Sequence, residues 1–514
     1  MCQHCMDRRE FATLTSAGLA AGVMSLSSAG AAPATPVEPW DPDRSPIVTG
    51  RPLRVQPVLV HSVRTPKEKN SWRSWSSVIN EPAAAEEIDR IAGEMEKLSR
   101  RAEFPIKILP TIKVCGEDHV PLVHKTDHDV VLLYAATNAG LFKKCFAQDP
   151  RRDTIIFVRH KSGPTYHGYE CIGTRYVNVP SPELWAKNSA LNHGGPTLDD
   201  IVVDDHDEVL WRLRALYGLK NFVGRRILAL GGPMGKWDKQ APKVARERYK
   251  LDIIDMSYDD LAARLKAVLA DAKLRKQMTT WTDRYLAMPQ TRLETKREFI
   301  ERAFALYIVF KQWLHEQNAP AITINACMGT ILSVTDTTAC MPLSWLNDEG
   351  RLAFCESDFV AVPSGILLHY ISGRPVYMHN STFPHKATVT CAHCTGPRRM
   401  DGKRYEPTRI MTHYESDFGA APKIDMPLGQ EVCFIDPEYS SKRWLGIKGI
   451  VRANPDFAIC RSQQDVEIQG DWRRLIPETR DSHWMMVYGD YLREVGYAVR
   501  KIGMTWENIS GEEG

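Results

Sequence analysis

The sequence predicts an α/β protein with two parallel-sheet domains followed by a C-terminal antiparallel sheet or barrel. Up to Pro375, short apolar runs rich in β-branched residues alternate with helical patterns, which is typical of parallel sheets. Beyond Pro375 the runs are shorter and are separated by turn residues, which is typical of antiparallel sheets and barrels. The chain of 514 residues is also too long for one hydrophobic core, so several domains are expected.

The first α/β domain is predicted over residues 48–220. Its strands are short runs of apolar and β-branched residues, whereas its first helix repeats apolar residues at helical spacing. The acidic run 204–208 precedes the second helix and complements its dipole. The predicted strands are 54–61, 105–112, 129–135 and 153–158, and the predicted helices are 82–101 and one that ends near Lys220.

The second α/β domain is predicted over residues 221–374. A glycine-rich turn, 231–235, follows its first strand, but it is not GxGxxG, and Lys236 lacks the Ser or Thr that follows the lysine of a P-loop. A tight turn between strand and helix is therefore favoured over a nucleotide site. The predicted strands are 226–230, 251–254, 321–326 and 351–355, and the predicted helices are 258–270, 294–316, 338–347 and 359–371.

The C-terminal β-rich domain is predicted over residues 375–510. Its runs of β-forming residues are short and regularly interrupted by turn residues. The predicted strands are 376–378, 387–392, 409–413, 431–435, 448–451 and 485–488, and a final helix is predicted at 490–502.

The N-terminus predicts export. Residues 1–31 contain paired arginines, Arg8 and Arg9, then a weakly apolar stretch and a small-residue cleavage pattern at 29–31, as in a twin-arginine signal peptide. We expect the twin-arginine export machinery as a partner and a periplasmic or otherwise extracytoplasmic location; a frayed cytoplasmic tail is the alternative. The stretch is too weakly apolar for a permanent membrane span. A Pro-rich linker is predicted at 32–47.

Charge and cysteine content exclude some classes of function. The 66 basic residues nearly balance the 63 acidic ones without a basic stripe, so no nucleic-acid partner is expected. The motif Cys391-Ala392-His393-Cys394 is a single CxxC, which is weak support for structural zinc. Of the 12 cysteines, Cys2 and Cys5 lie in the predicted signal peptide. Structural thiols, a disulfide formed after export, and a metal or redox role all stay open for the other ten.

Polar residues follow two predicted strands of the second domain, where open α/β sheets place ligands. Asn325 ends one strand, and Glu356 and Asp358 follow another. On an extended segment, carboxylates two residues apart point to the same side and can share a cation; alternatively, they cap the next helix. A carboxylate pair together with a distant histidine is the ligand mix of Mn²⁺, Fe²⁺ or Zn²⁺ sites. The candidate histidines are His379, His385, His393, His413 and His483.

The residues that carry these candidates resemble L-fucose isomerase-like proteins. The similar segments are 340–350, 355–358, 369–375, 393–397 and 481–490, within a region from about Ile322 to Ile502. The resemblance implies two Rossmann-like parallel-sheet domains followed by a C-terminal antiparallel β-barrel-like domain. It also implies a homo-oligomer.

The resemblance further implies a Mn²⁺ site, with Fe²⁺ or Zn²⁺ as alternatives. Asp358 and His483 match the family's aspartate and late histidine ligands. The family's upstream glutamate has no match, because no Glu lies between residues 316 and 349. Asp358 would also be one of the catalytic carboxylates. Glu356 or Asp336 would then supply the second, with Glu356 also a candidate ligand.

The predicted function is a metal-dependent aldose–ketose isomerase, in which the metal polarises a sugar carbonyl and carboxylates move a proton through a cis-enediol. Two alternatives stay open: a lyase or epimerase acting on an exported carbohydrate, and a non-catalytic extracytoplasmic sugar-binding protein. The predicted contacts to the sugar are Asn325, His393 and Arg398.

Overall fold

The structure is a computed structural model that describes residues 38–172, 177, 195–438, 442–479 and 483–511. The predicted signal peptide, residues 32–37 of the predicted linker, and Asp481 lie outside the described residues. Two parallel sheets are followed by a closed antiparallel barrel. This arrangement confirms the predicted fold class.

The first α/β region is built on one parallel sheet in the order β2-β1-β4-β5-β6, with β3 also paired to β1. The predicted strand 105–112 is two short strands, which lie on either side of Pro110 and both pair with β1. The strands are β1 (Leu53–Val60), β2 (Ile106–Ile108), β3 (Ile112–Val114), β4 (Val130–Ala135), β5 (Asp153–Val158) and β6 (Ile201–Val203). The helices are α1 (Glu81–Arg101), α2 (Val120–Lys125), α3 (Ala139–Cys145), α4 (His167–Cys171) and α5 (His206–Phe222).

The second α/β region is a four-stranded parallel sheet in the order β11-β10-β7-β8. Helix α8 (Ala272–Leu286) was not predicted. Asp271 separates it from α7 (Tyr258–Ala270), and the carboxylate of Asp271 accepts hydrogen bonds from the N–H groups of Lys273 and Leu274 at its start. The strands of this stretch are β7 (Arg226–Leu230), β8 (Asp252–Met256), β9 (Thr291–Leu293), β10 (Ala321–Ile324) and β11 (Leu352–Phe354). The helices are α6 (Ala241–Glu247), α7 (Tyr258–Ala270), α8 (Ala272–Leu286), α9 (Arg297–Glu316), α10 (Leu332–Thr335), α11 (Cys340–Asp348) and α12 (Val362–Ser372).

The C-terminal region is a six-stranded barrel in which β16, β19, β12, β13, β18 and β17 pair in turn and β17 pairs back to β16. Strands β15, β18 and β20 were not predicted; β14, β15 and β9 form a small separate sheet, and β20 adds to β17. The strands are β12 (Tyr377–Ser381), β13 (Thr388–His393), β14 (Thr408–His413), β15 (Phe418–Ile424), β16 (Glu431–Pro437), β17 (Arg443–Ala453), β18 (Ser462–Gln469), β19 (His483–Tyr488) and β20 (Thr505–Asn508). The last helix is α13 (Leu492–Lys501).

The alternation of side chains along β19 decides which way its first residue faces. Trp484 and Met486 belong to the core inside the barrel, whereas Met485 and Val487 belong to the core that the barrel shares with the α/β regions. Since successive strand residues point to opposite faces, His483 lies on the face of Met485. The barrel therefore presents His483 to the second α/β region.

The described end of the predicted linker is packed onto the second α/β region. Trp40 is buried, and its ring contacts those of Tyr285, Phe304 and Trp345. A large aromatic side chain buried among other rings contributes strongly to stability. Residues 38–47 are therefore part of the folded body.

Within the described ranges, we find no helix that combines the length and the apolar character needed to cross a membrane.

Candidate metal centre

The loop after β11 has an unusual backbone. Glu356 and Ser357 both have positive φ values, 61° and 45°, a conformation that costs a non-glycine residue roughly 1–2 kcal/mol. The loop is held by Met234, whose N–H donates to Ser357 O over 3.1 Å and whose carbonyl accepts from Phe359 N–H over 2.8 Å. The extended geometry assumed for a shared cation is therefore absent here. The capping interpretation fails as well, because α12 begins at Val362 without a side-chain cap.

Asp358 is fully buried and both of its carboxylate oxygens accept hydrogen bonds. Oδ1 accepts from the backbone N–H groups of Lys236, over 2.9 Å, and Val360, over 3.1 Å. Oδ2 lies 2.8 Å from Nδ1 of His483. The glycine-rich turn after β7 thus supplies part of the support for this carboxylate.

His483 connects two carboxylates in a fully buried position. Its Nδ1 faces Asp358, and its Nε2 lies 3.4 Å from Oε2 of Glu356 without a hydrogen bond of good geometry. If Nδ1 donates to Asp358, a neutral ring directs the Nε2 lone pair at a carboxylate, so a proton or a cation is needed between them. Burial would lower the pKa of His483, but Glu356 and Asp358 outweigh it and raise this pKa to about 9.

His393 completes the group. Its Nε2 lies 3.7 Å from Oε1 of Glu356, and its ring centroid is 5.6 Å from that of His483. Burial would raise the pKa of Glu356, but the two histidines hold it well below its usual range. One ligand atom from each of Glu356, His393 and His483 lies within 4.8 Å of the other two.

This donor set fits a divalent transition metal. Two imidazoles and one carboxylate are a known ligand combination for such ions, and they leave coordination positions open. The hydrogen bond from Nδ1 of His483 to Asp358 matches the carboxylate that usually orients a ligating histidine. The buried Nε2 of His483, without a hydrogen-bond partner, is the atom that a metal would engage. We call Glu356, His393 and His483 the metal centre.

The structure brings three of the predicted site residues together and places the others elsewhere. Glu356 and His483 lie in the metal centre as predicted ligands, and His393, predicted as a sugar contact, lies there as well. Asp358 was predicted as a ligand and catalytic group, but it contacts Nδ1 of His483, on the side of the ring opposite Glu356. Its Oδ1 accepts a hydrogen bond from Lys236, and its Oδ2 lies against His483. Asn325 was predicted within the end of a strand, but it directly follows β10, which ends at Ile324, and its Oδ1 accepts from the N–H of Ala326.

Two predicted residues are corrected by their surroundings. Asp336 is an exposed residue at the end of α10 and is not part of the metal centre. Arg398 is fully buried, and its guanidinium donates to the carbonyls of Glu406 and Pro289 over 2.6 and 2.7 Å. These donors already have partners, so Arg398 is a structural residue rather than a sugar contact.

Sequence reasoning missed the support that the turn 231–235 and its neighbour Lys236 give to Asp358. The glycines were visible as a tight turn, and Gly231 and Gly232 do have positive φ values of 75° and 84°. The pairing of Met234 with Asp358 joins segments far apart in the sequence, and no local pattern indicates it.

Among known proteins, the chain matches no protein-family model and no curated protein sequence.

Proposed function

We propose that this protein is a metal-dependent aldose–ketose isomerase acting on a sugar, with Mn²⁺ as the metal. The observation that carries the proposal is the position of His483 between Asp358 and Glu356. The ion would be held by Glu356, His393 and His483. When bound, the ion would act as a Lewis acid and polarise the carbonyl and the neighbouring hydroxyl of the sugar.

The place of the centre in the fold supports a small-molecule substrate. The metal centre lies at the carboxyl end of the second parallel sheet, where Asn325 follows β10, Glu356 follows β11 and Met234 comes from the segment after β7. Open α/β sheets bind their ligands at this edge. Asn325 is partly exposed there. Its Oδ1 accepts from the N–H of Ala326 and its Nδ2 donates to the carbonyl of Gly231 over 3.4 Å, which leaves one lone pair and one N–H of the amide for sugar hydroxyls.

The two carboxylates, Asp358 and Glu356, would have different roles. Both oxygens of Asp358 are engaged, so its part is to hold His483 in one tautomer and orientation. Glu356 is the remaining carboxylate of the group and is ionised at neutral pH, since its pKa is well below the usual range. Glu356 would thus both hold the metal and take the proton that moves between neighbouring sugar carbons.

The resemblance to L-fucose isomerase-like proteins over about residues 322–502 favours isomerisation among metal-assisted sugar reactions. Twin-arginine export, an extracytoplasmic location and a homo-oligomeric assembly belong to the same proposal. They rest on residues 1–31 and on the resemblance.

The proposal is tested by metal content and by an aldose screen on the same preparations. We expect about one Mn²⁺ per chain and a ketose product of unchanged mass. Glu356→Gln and His483→Ala should lose both metal and turnover. Exposed Glu298 and His385 provide matched controls, Glu298→Gln and His385→Ala. A product of changed mass would indicate a lyase instead, and sugar binding unaffected by metal would indicate a binding protein.

A further inference from the structure

A second group of metal-ligating side chains lies beside the metal centre. One ligand atom from each of Cys340, Cys394 and His413 lies within 4.8 Å of the other two, and all three residues are buried. The thiol of Cys394 also contacts that of Cys355, another buried cysteine. We call these four residues the thiol site.

The four residues come from four separate parts of the fold. Cys340 begins α11, Cys355 follows β11, Cys394 follows β13, and His413 ends β14. No sequence motif joins them, since Cys391, the other cysteine of the CxxC, packs inside the barrel. All the described cysteines are free thiols.

Two observations point to a ligand rather than to simple packing. His413 is only 3% exposed, so water does not reach its ring freely. Its buried Nδ1 nevertheless has no hydrogen-bond partner among the described residues. An unpaired buried polar atom of this kind destabilises the folded state unless something binds it. The thiols of Cys340 and Cys394 lie within 4.8 Å of a ring nitrogen of His413, and the Cys355 thiol contacts that of Cys394. Sulfur atoms are the soft donors that thiophilic ions select.

We propose that Cys340, Cys355, Cys394 and His413 form a second site, for a thiophilic d¹⁰ ion of the Zn²⁺ type. Zn–S bonds of about 2.3 Å place tetrahedral ligand atoms about 3.8 Å apart. The ligand atoms of Cys340, Cys394 and His413 lie within 4.8 Å of one another. Shifts of about 1 Å would therefore bring them to the tetrahedral spacing. Each thiol that binds would lose its S–H proton to solvent as its S–Zn bond forms, with no change of oxidation state.

The site differs from the metal centre in donor chemistry and in role. Sulfur predominates here, whereas the metal centre has a carboxylate and two imidazoles, which suit Mn²⁺ or Fe²⁺. Cys355 precedes Glu356, and Cys394 follows His393, so an ion in the thiol site would fix two of the three segments that carry the metal centre. The ion in the thiol site would thus be structural, with every coordination position filled by the protein, and it would help to position the catalytic ion of the metal centre.

The test uses Co²⁺ as a spectroscopic substitute for Zn²⁺ on the whole protein after removal of metals under reducing conditions. We expect about one tightly held Co²⁺ with strong thiolate-to-cobalt charge-transfer absorption in the near ultraviolet, displaced by Zn²⁺ but not by Mn²⁺. Cys340→Ser and Cys394→Ser should lose this absorption. His483→Ala should retain it, which separates the outcome from the fate of the proposed isomerase.

Cys145 supplies the matched control, because it is equally buried but packs in the first α/β region. Cys145→Ser should keep the cobalt absorption. If the Ser variants do not fold, the wild-type spectrum still decides the matter. Weak cobalt absorption without charge transfer would overturn the proposal. So would a chain 2 Da lighter than its reduced form whose Cys340 and Cys394 resist alkylation, since that result would show a disulfide.

Discussion

Nδ1 of His483 lies 2.8 Å from Oδ2 of Asp358, although the two residues are 125 positions apart in the chain. Asp358 belongs to the loop after β11 and His483 begins β19 of the barrel. The contact therefore joins the second α/β region to the barrel, and it fixes the ring of His483 so that Nε2 faces Glu356.

Asp358→Asn is expected to weaken metal binding about 10- to 100-fold, the usual effect of losing the partner of a ligating histidine. The amide oxygen can still accept from Lys236 and Val360, but its NH₂ group then faces Nδ1 of His483 and favours the wrong tautomer. Isothermal titration with Mn²⁺ measures the change, with Glu298→Gln as the control. An unchanged dissociation constant would contradict the role given to Asp358.

The affinity of the metal centre should rise with pH. The pKa of His483 is raised to about 9, so at neutral pH a metal must displace its proton from Nε2. Below pH 9 each pH unit should therefore strengthen Mn²⁺ binding about tenfold, for one proton released. Titrations at several pH values in two buffers of different ionisation enthalpy count the protons. Affinity independent of pH between 6 and 8 would be inconsistent with a protonated His483 in the metal-free state.

Asp348 should make the free energy of unfolding fall as the pH rises. Burial raises the pKa of Asp348 from 3.8 to about 7, although the N–H of Arg399, which donates to its Oδ1 over 2.7 Å, acts to lower it. The other oxygen, Oδ2, has no partner among the described residues. Between these two values the folded state holds more protons than the unfolded state, so stability is lost with rising pH, by up to about 4 kcal/mol. Urea unfolding of the wild type and Asp348→Asn from pH 4 to 8 should show the slope only in the wild type. Parallel slopes would exclude this origin.

Trp40→Ala should destabilise the protein by about 3–5 kcal/mol, the cost of removing a large buried aromatic side chain. Trp40 is 3% exposed and packs against Phe304 at a centroid distance of 5.2 Å. Trp75→Ala is the control, since Trp75 is 62% exposed. Equal urea midpoints for the two variants would show that residues 38–47 do not belong to the stable core.

The sequence predicted best where the information is local. The strand Arg226–Leu230 and the helix Tyr258–Ala270 appear with the predicted bounds, because periodicity and caps lie within each segment. Strand β18 was missed because its polar residues Gln463, Gln464 and Asp465 break any apolar alternation. These side chains depend on the barrel around them, which no short window contains.

The candidate site was predictable in part for the same reason. Glu356 was predicted from its residue type and its position after a strand, whereas His483 was chosen among the five candidate histidines by the family resemblance. The positive φ values of Glu356 and Ser357, by contrast, are imposed by the distant Met234. Cys340 and His413 approach each other only through the packing of the small sheet of β9, β14 and β15 on the second α/β region. Such contacts between elements far apart in sequence have no local signature.

The ligands of the metal centre belong to two different structural units: Glu356 follows strand β11, whereas His393 and His483 belong to the barrel. Neither unit alone carries the complete set. As a nascent chain emerges, the centre therefore cannot assemble until β19 has been synthesised and the barrel has docked on the second α/β region. Metal acquisition would then report that the barrel has docked on the second α/β region.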